Sequence, residues 1–421
     1  MEKLLILGIN TRPLVNSALK LKYQTYSCSY FSTLDFKEPY KEKHILNQKP
    51  NKTCGHFEEN YHPSEILELG IEYMGEVDHI ILHSGISPND FNDNNKVKKY
   101  KSKIIGNKNT ENVEDKYKFY KKIKNKFPTP LTFKFENYDK NDMLTVVEVV
   151  DEVIEILQQH DDKTFMIKPL QGSGGYGVKL LNTESNIPFN ERNHDYENKF
   201  LELIKTNTPF ILQEYIEGKN ISSSLLSTKK RSKSIIISDN LNNSNIEHDS
   251  YLNDFRYSGN ITPSENSYDI KEIESVCEDI ISYFKLIGSN GVDMIIDKNG
   301  ELHIIEINPR FQGTYECVES TLGINLLDAH IQACNGNLIE TPSPQRPCIK
   351  KIIYSKKRVK FNNKDFTLGD NIKNSYVCDI PHENVIIEKD QPLLTIISSE
   401  KTLGRSKLAI DIITKNVEKI Y

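Results

Sequence analysis

The apolar positions of this chain fall into short runs whose period changes along its length. LLILGIN is a continuous apolar run of strand length, Pro13 to Leu21 carries apolar residues at helical spacing, and QTYSCSYF reads as a second strand. A further helical pattern from Ser64 to Met74 leads into the strand HIILHSG. Alternation of strand and helix predicts a parallel sheet covered by helices. Farther on, strands follow strands: TFMIK, a Gly-rich turn, VKLL, then PFILQ and a run from Ile221. Between Lys229 and Asn253, SIIIS reads as a strand and DNLNNSNIEHDS as a surface loop. Ile270, Ile273, Val276, Cys277, Ile280, Ile281 and Phe284 recur at helical spacing, so this is an amphipathic core helix and Cys277 is core rather than nucleophile. GVDMIID and ELHIIEINPR are joined by DKNG, a strong hairpin signal with Asn-Gly at its tip. GINLLDAHIQACNG is a helix closed by Gly, and the remainder is strand-rich with a last helix near Arg405 to Ile413.

The fold class expected is α/β, becoming α+β in the middle of the chain. Its 421 residues divide into four segments, 1–106, 107–215, 216–345 and 346–421, in keeping with a prior of roughly 100–200 residues per domain. Net charge is −5 and the many lysines are interleaved with acids, which leaves no basic footprint for nucleic acid. The seven cysteines are scattered without a C-x-x-C pair, as suits a reducing cytosol. No apolar stretch approaches the roughly 18–20 residues of a membrane span, and Met1 leads into a strand without the pattern of a signal peptide. The expected location is cytoplasmic, with no membrane partner.

The hairpin carries the first chemistry. Glu306 and Asn308 are two apart on one strand and share a face, and a hairpin brings Asp293 opposite them. Two carboxylates and an amide oxygen suit Mg²⁺, which takes hard oxygen ligands and leaves positions for water and phosphate. Arg310 follows, with a fork of donors suited to an oxyanion. Taken singly, each is an ordinary polar residue on a hairpin. The set is harder to dismiss, because the strand reads as buried and buried charge requires a partner or a metal.

A phosphate-binding element stands upstream. The strand Thr164 to Ile167 delivers Lys168 into a turn containing Gly172, Ser173, Gly174, Gly175 and Gly177. Glycines let the backbone approach phosphate oxygens. Strands flank this turn on both sides, so it is neither a P-loop nor a dinucleotide fingerprint, each of which opens a helix. It reads as a flap folding over a nucleotide. Between flap and hairpin, Gln213, Glu214, Tyr215, Ile216 and Glu217 mark a transition between strands. A hinge there offers backbone groups to an adenine edge, and Glu214 or Glu217 to ribose; an ordinary acidic turn reads as well for each carboxylate alone.

Lys168 with its flap, QEYIEG, Asp293 and EINPR, in this order and with Asp293 thirteen residues before Glu306, together resemble the ATP-grasp superfamily. The resemblance implies that the enzyme joins a carboxylate to a nucleophile through an acyl-phosphate made from ATP. It further implies that Lys168 contacts the ATP phosphates, that 214 to 217 form the nucleotide hinge, that Asp293, Glu306 and Asn308 hold Mg²⁺ (or Mn²⁺), and that Arg310 faces the reacting carboxylate. Upstream, NVEDKYKFYKKIKNKFPTP looks like the family's Asp-Lys helix, which makes Lys116 a second nucleotide-contacting lysine; a solvated place on a lysine-rich helix is the alternative. GINTRP, RYSGNITP, NPRFQGTYE and DIP…IIEKDQPLLTI make the chain look most like an archaeal-type, carboxylase-related ATP-dependent carboligase branch.

Three readings follow. In a carboxylate–amine ligase, Arg310 and Lys168 are the catalytic groups and both substrates are small molecules. Its substrate contacts are expected at Asn10 and Arg12, at the carboxyl end of the first strand where open α/β sheets bind ligands, and at Arg256, Asn260 and Gln312. A biotin-carboxylase-like carboligase activating bicarbonate would carry Glu and His where Thr314 and Tyr315 stand. A non-catalytic nucleotide-binding protein would not need Lys168, Glu306, Asn308 and Arg310 together. A homodimer is an open possibility for assembly.

Overall fold

A computed structural model describes residues 1–181, 209–242, 255–265, 269–362 and 373–420, apart from positions 38, 137, 140, 171 and 173. The N-terminal region forms a parallel sheet in the order Lys41–Leu46, Gln24–Phe31, Lys3–Gly8, His79–Leu82. Lys3–Gly8 is a central strand buried on both faces, hence its unbroken LLIL run. The helices Arg12–Lys20 and Pro63–Glu76 occupy the expected places, each with proline in its first turn, where the missing N–H costs nothing. Lys41–Leu46, KEKHIL, is an edge strand with no fully buried residue, which is why its charged pattern did not read as a strand.

Two main antiparallel sheets, with a two-stranded ribbon of Val359–Lys360 and Ile386–Ile387, form the rest. The smaller has the order Thr132–Phe135, Phe210–Glu214, Phe165–Pro169, Lys179–Leu181. The helix Met143–Gln159 covers it, burying Val146, Val149, Val150, Val153, Ile156 and Leu157 against Phe135, Phe165 and Phe210. The larger has eight strands in the order Leu302–Asn308, Gly288–Asp297, Gly218–Ser227, Ser232–Asn242, Tyr257–Thr262, Cys348–Tyr354, Pro392–Ser398, Ser375–Cys378. The predicted helix is Ile270–Tyr283; it packs Ile273, Cys277, Ile280 and Ile281 onto this sheet, with Cys277 fully buried.

One boundary differs from the sequence reading. The strand after KKRSK runs through Asp239, Asn240 and Leu241, because Tyr257–Thr262 pairs with that polar stretch and satisfies its backbone. Three C-terminal strands, Cys348–Tyr354, Pro392–Ser398 and Ser375–Cys378, extend the large sheet, joined to it through Tyr257–Thr262. A shared core also ties the N-terminal region to the large sheet: Leu4, Ile6, Leu14 and Val15 cluster with Leu226, Ile235, Phe311 and Tyr315. Among the described residues, no helix is long and apolar enough to cross a membrane.

Candidate active site

A cavity of about 630 Å³ opens where the three sheets meet. The hairpin supplies one wall. Asp293 lies directly opposite Glu306 in the register of Gly288–Asp297 against Leu302–Asn308, with a bulge immediately after Asp293. Asn308 donates from Nδ2 to Asp293 Oδ2 at 2.7 Å, and its Oδ1 accepts from Arg310 Nη1 at 3.1 Å. The other Asp293 oxygen accepts from Ser222 Oγ at 2.6 Å and from Gln312 Nε2 at 3.3 Å. Gly291 makes this possible: a Cβ there would lie 1.7 Å from Gln312 Cδ. Burial, and then the charge of Glu306, push the Asp293 carboxyl well above the ordinary carboxylate range. The hard oxygens of Asp293 and Glu306 beside the Asn308 amide are a donor set that fits Mg²⁺.

The opposite wall is cationic. Lys168, near the end of Phe165–Pro169, donates to Gln213 Oε1 at 2.6 Å, and Gln213 in turn donates to Thr132 Oγ1 at 3.0 Å. Lys116 opens the helix Lys116–Ile123, whose N-cap Asp115 accepts from the Tyr117 and Lys118 amides, and its Nζ reaches the Gly172 carbonyl at 3.1 Å. Removal from water lowers both lysines, with Glu306 partly opposing; Lys168 comes down to about 8.

The Gly turn lies over the cavity. Gly174 and Gly175 have positive φ, and a Cβ on Gly175 would fall 2.1 Å from the Phe255 carbonyl oxygen, so only glycine allows that approach. Tyr257 N donates to Gly174 O at 3.1 Å, and the Tyr176 ring lies 5.2 Å from that of Phe57 in the N-terminal region. Ser173 lies outside the described residues.

The hinge positions 213 to 216 are on the wall. The Glu214 carboxylate is already engaged, one oxygen by Lys163 and the other by the Leu131 amide at 3.1 Å. Glu217 is exposed and off the wall, so the ribose expectation has no footing there.

The substrate expectations divide. Asn10 and Gln312 line the cavity; Arg12, Arg256 and Asn260 do not. Arg12, only 3% exposed, is held by Asp379 at 2.7 Å and by Glu316 at 2.9 Å, so its guanidinium joins the N-terminal region to the large sheet instead of facing substrate. Burial alone would raise the Asp379 and Glu316 carboxyls, but Arg12 and Lys350 outweigh it and hold both below the ordinary range. Arg256 lies over the Tyr354 ring, 4.7 Å from its centroid. Asn260 is fully buried between Tyr257 Oη at 2.6 Å and Thr262 Oγ1 at 2.8 Å. Arg12 and Arg256 are engaged by other elements of the fold, and Asn260 by side chains of its own strand, Tyr257–Thr262.

A family model for the ATP-grasp domain matches residues 113–314. An uncharacterised protein of Methanocaldococcus jannaschii is 32% identical over 403 residues, covering 94% of this chain and 88% of its own length. The chain belongs to the ATP-grasp family. The fold agrees over its full length. The carboxyaminoimidazole ribonucleotide synthase of Aspergillus clavatus, solved with ATP, has a TM-score of 0.70 at 12% identity, covering 100% of this chain and 99% of that one. The biotin carboxylase domain of Hydrogenobacter thermophilus 2-oxoglutarate carboxylase, solved with MgADP, ADP and bicarbonate, has a TM-score of 0.68 at 16% identity, covering 100% and 90%.

Around this ATP-grasp centre the structure adds residues that were not singled out in the sequence. Ser222 binds Asp293 from the neighbouring strand, and Lys350 bonds Glu316 at 3.0 Å while lining the cavity. Tyr30, Thr33 and His83 line it from the N-terminal sheet. His83 had a signal, since HIILHSG places it just past the carboxyl end of a parallel strand; Tyr30 and Thr33 share that location but carried no pattern.

Proposed function

We propose that this chain is an ATP- and Mg²⁺-dependent ligase that activates a carboxylate as an acyl-phosphate and couples it to an amine, releasing ADP and phosphate. The observation that carries the reading is the convergence, on one cavity, of Asp293, Glu306 and Asn308 with Arg310 on one side and Lys116 and Lys168 under a glycine flap on the other. Phosphoryl transfer is mostly positioning and electrostatics, and this arrangement offers both. Asp293, Glu306 and Asn308 would hold the Mg²⁺, which supplies charge neutralisation to the phosphates. Lys168 neutralises the transferring group, and Arg310 orients the carboxylate. The flap excludes water, so that an amine rather than water meets the acyl-phosphate. The amine nitrogen forms the new C–N bond, the C–O bond to phosphate breaks, and phosphate leaves with the electron pair while the nitrogen loses its proton.

A second reading, activation of bicarbonate, is favoured by the full-length likeness to carboxylase folds. Against it stands position 316, where the nearest carboxylate following Arg310 is bound to Arg12 and Lys350 and has no freedom to act as a base. A coupled ADP-release screen over carboxylates and amines separates the two. The ligase reading expects release to require both partners; release on bicarbonate alone would select the carboxylase.

Lys168 gives a pH test of the nucleotide site. Only the protonated lysine attracts phosphate oxygens, and it loses its proton as pH rises through about 8. ATP affinity should therefore fall between about pH 7 and about pH 9. Lys168→Arg, which does not titrate in that range, should flatten the fall. A wild-type affinity that is flat over the range would remove Lys168 from the phosphate contacts.

A further inference from the structure

The tip of the glycine flap is fastened through both backbone polar groups of one residue, Tyr257. On one side, the Tyr257 amide donates to the Gly174 carbonyl at 3.1 Å. On the other, the Tyr257 carbonyl accepts from Tyr354 Oη at 3.0 Å. Tyr354 commits its one hydroxyl proton to that bond. In its hydrogen bond with Tyr176 it is therefore the acceptor, and the flap's Tyr176 is the donor. Gly174 and Tyr176 are thus tied to the same residue, and between them Gly175 lies against the Phe255 carbonyl, where only glycine fits.

The segment Phe255 to Tyr257 is well anchored. The Phe255 ring lies 6.1 Å from that of the hinge residue Tyr215. Arg256 covers the Tyr354 ring and its Nη1 donates to the Asp390 carbonyl, which keeps Tyr354 in place. Tyr257 Oη donates to Asn260, and a Cβ on Gly313 would fall 2.8 Å from the Tyr257 ring. Gly313 follows Gln312, which donates to Asp293. The segment therefore touches the hinge, the carboxylate wall and the strand Cys348–Tyr354. Tyr176, Tyr257 and Tyr354 all line the cavity. Burial pushes the Tyr176 and Tyr257 phenols up, so both remain O–H donors at neutral pH.

We propose that Tyr176 and Tyr354 are positioning residues that fasten the flap shut over bound nucleotide, with the Tyr257 backbone as their mooring. The inference rests on the nucleotide site of the ligase reading and adds what holds its flap closed. Glycines have no side chains with which to hold a closed position, so the hydroxyl relay supplies it. Nucleotide leaves only when the flap opens, and opening breaks the relay.

The test is stopped-flow dissociation of a fluorescent N-methylanthraniloyl ADP, with Mg²⁺, from the full chain. Tyr176→Phe keeps the ring against Phe57 and removes the donor; it should speed dissociation about fivefold, the loss of one hydrogen bond. Tyr354→Phe keeps the ring under Arg256 and removes both links, so it should speed dissociation further. The double variant should be no faster than Tyr354→Phe alone, because the bond from Tyr176 is already gone. A purely structural role would instead lower the melting temperature, which should stay near that of the wild type. Unchanged dissociation in either single variant, or effects that multiply in the double variant, would overturn the proposal while leaving the ligase reading intact. A wild type that does not bind the nucleotide would overturn the ligase reading and the proposal with it.

Discussion

Glu306→Gln should abolish Mg²⁺-dependent turnover while leaving the protein as stable as before, or more so. The substitution keeps the shape of the side chain and its register opposite Asp293, so the hairpin has no reason to move. It removes the like charge that, after burial, helps raise the Asp293 carboxyl. Relief of that repulsion favours the folded state. Catalysis behaves in the opposite way, because a neutral amide no longer balances a divalent cation. A loss of roughly 10³-fold or more corresponds to about 4 kcal/mol of transition-state stabilisation at about 1.36 kcal/mol per decade. Thermal unfolding and ADP release, measured side by side, check both halves. Wild-type turnover would sink the metal assignment, and a strongly lowered melting temperature would show that Glu306 is structural.

Arg310→Lys should lower turnover by roughly 10²–10³-fold, the size of effect seen when one preorganised oxyanion donor is lost. Lysine keeps the charge but lacks the planar fork that engages a carboxylate through two bonds. Arg310 lies on the cavity wall and is braced by Asn308 Oδ1 at 3.1 Å, so its fork has a fixed orientation that an ammonium cannot copy. ATP affinity should change little, since the flap, hinge and carboxylates hold the nucleotide. Calorimetry of ATP binding beside substrate-dependent ADP release separates these effects. Collapse of ATP binding with turnover per bound ATP untouched would place Arg310 in the nucleotide site.

Those two residues were legible in the sequence because their geometry is local. Asn-Gly at the tip of DKNG sets the hairpin, and the period of two does the rest, bringing Asp293 opposite Glu306. The Gly-rich turn was legible for a similar reason, since glycines clustered between two strands mark a tight turn. Arg12 shows where that kind of reading stops. An arginine at the end of a parallel strand reads as a ligand contact, but its partners Glu316 and Asp379 lie 304 and 367 residues away in the chain. No local pattern distinguishes a guanidinium bound to substrate from one bound to distant carboxylates. Asn260 was misleading in the same way, its partners Tyr257 and Thr262 being near in sequence but its burial a product of the sheet. Tyr30 and Thr33 became visible only when the fold brought the carboxyl edge of the parallel sheet to the cavity.

The central claim is that ATP is cleaved at its γ-phosphoryl group to make an acyl-phosphate. ³¹P NMR of ATP and Mg²⁺ with the protein and a carboxylate–amine pair that supports turnover tests it most directly. Signals of ADP and inorganic phosphate should grow together at equal rates; AMP with pyrophosphate would rule out an acyl-phosphate.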